Sequence, residues 1–224
     1  MSNPVIAVPA NPALDEAIEA FHRALTHNGK GAEAYIQFMG RLTDRLIGLF
    51  LLEAVEIASV GPTQRKIVDF AVDTGSKASS MLTGQIYKKV SNAQFAGIER
   101  DLKAMYWPAG GDNGNVPQLY FAIDAAFAND YQAVIDVCAA GRGTTQIDLV
   151  VRVLDRQLEE VLQKFFLAQT KHVDIGFITK KALDVSIAGT RSACQAVMHK
   201  VVKNFNDAQL KDFMSHYAQV YRKK

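Results

Sequence analysis

The chain has 224 residues, 49% of them apolar, with 25 basic against 23 acidic residues and a formal net charge of +2. That is enough apolar mass for a continuous core. The balanced charges, spread along the chain, exclude a broad basic face for nucleic acid. Two distant cysteines, Cys138 and Cys194, without CxxC or zinc spacing, exclude a disulfide framework and read as free buried thiols.

Met1 to Ala13 has no basic n-region. Its apolar patch, Val5 to Val8 between Pro4 and Pro9, is too short for a secretory signal, although an export signal of an unconventional kind stays open. The most apolar stretch, Leu46 to Val60, contains Glu53 and Glu56, whereas a bilayer span needs about 20 residues free of such charges. No transmembrane segment is expected, and the protein reads as cytoplasmic.

In chain order, Asn11-Pro12 caps a first helix that runs to about His27 and stops at Asn28-Gly29. Apolar positions Tyr35, Met39, Leu42, Leu46, Leu49 and Ile57 recur at helical spacing, predicting a second helix from Ala32 to about Ala58. A third runs from Pro62 to about Val90. Ser91 and Gln94 form a capping box for a shorter one ending at Trp107-Pro108. Residues 109–116 are a Gly/Asn loop. Short helices at Pro117–Asn129 and Tyr131–Ala139 follow, then long ones at Thr145–Thr170 and Ile175–Phe205. Asn206 caps the last helix, and Tyr221 to Lys224 reads as a solvated basic tail. Strand signals are nearly absent.

The pattern predicts an all-α bundle of about eight or nine helices built on four long ones. Its halves, 1–108 and 117–224, pack as one unit. They suggest an internal duplication, because three short matches share an offset of about 111–115 residues. Arg41-Leu-Thr-Asp-Arg45 matches Arg152-Val-Leu-Asp-Arg156. Gly75-Ser-Lys77 matches Gly189-Thr-Arg191, and Asn92-Ala-Gln94 matches Asn206-Asp-Ala-Gln209.

Candidate chemistry is sparse. Glu19 and His22 have the Glu-x-x-His spacing of a di-metal bundle, but no second pair exists, so a surface pair is expected. Glu53 falls on the apolar stripe rather than beside Arg45, which predicts a buried, paired carboxylate or a functional acid. Arg142, Gly143, Thr144 and Thr145 precede a helix and could bind an anion, although threonine capping explains them as well. Asp112, Asn113 and Asn115 bring oxygen ligands without the calcium-loop pattern. Small residues cluster around Gly75 and Ser79, and again around Gly189 and Ser192. They allow close helix packing or leave room for a ligand, making Glu53, Gly75, Ser79, Gly189 and Ser192 the pocket candidates. No catalytic constellation, cofactor fingerprint or metal site is present. The leading expectation is a non-enzymatic binding or regulatory protein engaging a protein partner. The alternatives are a small-molecule-binding protein or enzyme with a bundle cavity near Glu53, and a coat on an inclusion or lipid surface.

Overall fold

The computed structural model describes residues 3–27, 29–88, 90–110 and 115–223. The expected helix stop at Asn28, the oxygen-bearing pair Asp112 and Asn113, and Lys224 lie outside them. Helix makes up 77% of the described residues, so the all-α bundle holds and the strands form only a small addition.

The first half runs β1 (Pro4–Pro9), α1 (Pro12–Thr26) and α2 (Gly31–Ile47). Helix α2 continues through a π segment (Gly48–Glu53) into the single turn α3 (Ala54–Ile57). Then come α4 (Pro62–Tyr87), α5 (Asn92–Met105) and β2 (Tyr106–Trp107). The second half follows the same order. It runs β3 (Gln118–Ala122), α6 (Ala125–Ala139), α7 (Ile147–Val161) with its own π segment (Leu162–Leu167), α8 (Phe177–Lys200), α9 (Asp207–Ala218) and β4 (Tyr221–Lys223).

Caps set these boundaries. Asn11 accepts from Leu14 N at 3.0 Å, and Asp124, 113 positions on, accepts from Phe127 N at 2.8 Å. Ser91 with Gln94, and Asn206 with Gln209, form capping boxes 115 positions apart. Each satisfies N–H groups that a helix start leaves without partners.

The sheet is the main departure from the sequence expectation. Its strands are antiparallel in the order β2-β3-β1-β4. Each half's last strand therefore pairs with the other half's first. Ile6 stands opposite Phe121 on one side and Tyr221 on the other. Val5 to Val8 are all essentially buried. A strand covered on both faces has no alternation for a periodicity test to find. The expected helix at Pro117–Asn129 is instead β3 followed by the Asp124 cap, and the expected solvated tail is β4.

Helices α4 and α8 make the broadest helix–helix contact. Their buried positions recur 115 residues apart, as Val68 with Leu183, Ala71 with Ser186 and Ser79 with Cys194. On that register Gly75 matches Thr190, not Gly189. Gly189 is exposed with open space around it, so it marks no close contact. Gly75 is buried, yet a Cβ there would sit 3.6 Å from Ile47 Cδ1 and 3.9 Å from Thr190 Cγ2, ordinary packing distances. Neither glycine is required sterically. Gly189→Ala should therefore raise stability by about 0.5–1 kcal/mol through helix propensity, and Gly75→Ala by at least as much. A lower denaturant midpoint for either would contradict this.

A different glycine does carry a steric demand. A Cβ on Gly97 would fall 2.9 Å from the Cγ and Cε1 atoms of the His172 ring. His172 Nε2 lies 2.8 Å from Asp101, which also holds Lys171 at 2.6 Å, so α5 is tied to the second half here. Gly97→Ala should displace this ring and cost about 1–3 kcal/mol in urea unfolding.

Burial raises the Asp101 carboxyl, but hydrogen bonds and charge from Lys171 and His172 outweigh it and hold it below its ordinary value. A depressed folded pKa gives stability that is present above the unfolded value, about 3.9, and lost as pH falls through the folded one. The wild type should accordingly lose more stability below about pH 4 than Asp101→Asn does. Parallel acid titrations of the midpoint test this.

Candidate functional site

The site is built where the two halves meet. A cavity of about 100 Å³ is walled by α2, α7, α4 and α8 together with both π segments. Thr43, Leu46, Ile47, Phe50 and Leu51 line it from the first half. Leu154, Gln157, Leu158, Val161 and Leu162 line it from the second, each 111 positions further on. Gly75 and Ser79 on α4 face it, as do Thr190 and Cys194 on α8, 115 further on. Matching positions of the two halves thus form opposite walls, and none of the lining residues is charged.

The π segments shape these walls. A π turn is wider than an α turn and leaves local carbonyls short of backbone partners. Here Ala54 N donates to Leu51 O. Phe50 O accepts from the Tyr217 hydroxyl at 2.7 Å, and Leu49 O accepts from His216 Nε2 at 2.7 Å. Both donors come from α9, and Tyr217 also lines the cavity. Burial pushes its phenol well above the ordinary range, so it stays protonated and donating.

The same π turn re-aims Glu53. Arg45 and Glu53 are eight residues apart, which in a regular helix leaves them about 80° out of line. The extra residue of the π turn restores alignment, and Arg45 Nη1 reaches Glu53 Oε1 at 2.7 Å. The Glu53 side chain is 44% exposed and stands outside the cavity, so it is paired but not buried. Its arginine partner lies on its own helix rather than a neighbouring one, while His216 Nε2 of α9 stands 3.9 Å from Glu53 Oε2. Because Glu53 is so exposed, Glu53→Ala should cost no more than about 1 kcal/mol.

Of the five pocket candidates, the structure brings Gly75 and Ser79 to the cavity and leaves Glu53, Gly189 and Ser192 outside it. Ser192 is exposed. Ser79 lies 2.6 Å from the Thr43 hydroxyl, which donates to Met39 O at 2.8 Å. At the anion candidate, the N–H of Thr144 donates to Asp207 Oδ1 at 2.7 Å, and the Thr145 hydroxyl donates to Arg142 O. A carboxylate of the protein already sits there. Gly143 is packed against Cys138 and Leu210, each 2.9 Å from where a Cβ would stand, and Arg142 points to solvent.

His22 pairs with Glu99 at 3.0 Å while Glu19 pairs with Arg23, so the Glu-x-x-His residues do not converge. Among the described residues no group of three or more metal-ligating side chains comes together. No described helix is long and apolar enough to cross a membrane. Cys138 and Cys194 are buried, and burial pushes their thiols up to about 11 and about 12, with Asp207 adding to the shift at Cys138.

Three residues of the site gave no sequence signal. Gln157 is 3% exposed, and its Oε1 accepts from the Tyr131 hydroxyl at 3.1 Å. Its Nε2 has no partner. Tyr217 and His216 lie on α9, far along the chain from the π segment they complete. Comparison with known protein families, with curated proteins and with solved structures finds no match.

Proposed function

We propose that this chain is a binding protein for a small uncharged molecule, held between its two halves. The observation that carries the reading is the uncharged cavity walled by matching positions of both halves and flanked by both π segments. Pockets for small molecules are typically apolar with few polar groups, and π turns recur at functional sites. A cytoplasmic setting and an origin by duplication of one half belong to the same proposal. Native mass spectrometry of the protein purified from its own cells tests it. A bound small molecule is expected on the wild type and is absent from Gly75→Leu, whose side chain fills the cavity while the melt stays cooperative. A wild type that carries no ligand, or a Gly75→Leu protein that keeps it, overturns the reading.

A second reading, engagement of a protein partner, is favoured by Phe70 and Val185. They are 64% and 65% exposed and occupy matching positions on α4 and α8. A second copy of the chain is the simplest partner to test. Sedimentation at rising concentration should show self-association that Phe70→Ser with Val185→Ser abolishes. A monomer throughout counts against it.

A further inference from the structure

We infer that the molecule held in this cavity is a small apolar compound with one hydrogen-bond acceptor, a carbonyl above all, and that it takes the side-chain amide of Gln157; the inference rests on the ligand-binding reading above. Gln157 lines the cavity, is 3% exposed and has an Nε2 without a partner. A buried donor left unpaired costs free energy, and a bound acceptor recovers it.

The other half supplies an internal control. The matching position is Leu46, 6% exposed, so the fold builds this wall equally well without an amide. The Thr43 hydroxyl donates to Met39 O and accepts from the Ser79 hydroxyl, which occupies the protons of both within the protein. Gln157 thus keeps a buried donor free and gives the cavity a direction, alongside the Thr190 hydroxyl and the Cys194 thiol that also line it. With no charged residue in the lining, an ionised ligand group would go uncompensated.

Size narrows the class. A cavity of about 150 Å³ takes benzene, so about 100 Å³ suits a molecule of roughly four or five non-hydrogen atoms. Short ketones, aldehydes and esters meet all these conditions.

The test uses the full chain with xenon, butanone and 2-methylbut-1-ene, the alkene having the ketone's skeleton with a methylene in place of the oxygen. Affinities are read by NMR titration for the wild type and for Gln157→Leu, which copies the residue at the matching position. The ratio of ketone to alkene affinity should fall about fivefold or more in Gln157→Leu, from loss of one hydrogen bond. In the wild type the Gln157 side-chain amide signal should shift with butanone and not with the alkene. This second measurement needs no variant. An unchanged ratio, or an amide signal indifferent to butanone, overturns the role of Gln157 and leaves the binding reading standing. Failure of xenon and both probes to enter the folded wild type overturns the binding reading itself.

Discussion

Deleting residues 1–9 should abolish cooperative folding. Strand β1 lies inside the sheet, with β3 on one side and β4 on the other. Val5, Ile6 and Val8 are 0–1% exposed. Burying each such side chain contributes about 1.5–3 kcal/mol, and a domain is stable by only about 5–15 kcal/mol in all. Losing three of them, together with the backbone pairing of two neighbouring strands, consumes most of that margin. Far-ultraviolet circular dichroism should show a broad, weak melt. A sharp wild-type-like transition would mean that β1 is dispensable. Ile6→Ala is the graded version, with an expected loss of about 2–5 kcal/mol in urea.

The second large effect is expected at Tyr217. Its ring stacks on Phe213 at 4.7 Å between centroids and lies 5.5 Å from Phe50. Its hydroxyl bonds to Phe50 O of the π segment, and its own carbonyl shares the single Tyr131 hydroxyl proton with Gln157 Oε1. Tyr217→Phe removes only the hydroxyl and leaves a π-turn carbonyl without that donor, at about 1–3 kcal/mol. Tyr217→Ala adds loss of the ring and should cost at least about 3–5 kcal/mol. Equilibrium unfolding of the pair separates the two contributions. If phenylalanine costs only a few tenths, the hydroxyl is not what holds the π turn.

The helices were legible because their signals are local. Asn11, Ser91 and Asn206 announce helix starts within three residues of themselves, and the apolar spacing of α2 and α7 repeats every turn. The sheet was not legible, because β1 is a short apolar run and β4 a short basic one. Their pairing joins residues more than 200 positions apart. Glu53 was misjudged for a specific reason: helical counting assumes 3.6 residues per turn throughout, and the π turn between Gly48 and Glu53 breaks that count. The short match of Gly75-Ser-Lys77 with Gly189-Thr-Arg191 set Gly75 against Gly189, one residue away from the match that burial supports. Gly75 and Ser79 were found because small side chains clustered on one helix are visible in sequence. Gln157 was not, since a glutamine on an amphipathic helix shows its burial only once the neighbouring helices are in place.

The exchange of strands between the halves has a topological consequence. Pro4 stands opposite Lys223, so the two ends of the described chain emerge side by side. The connection through residues 109–116 leads likewise from β2 to its neighbour β3. A circular permutant that joins the ends with a short linker and opens the chain between 109 and 116 would run second half first, with every strand keeping its neighbours. The backbone would trace nearly the same path in the reverse order of halves, and the cavity walls would meet as before.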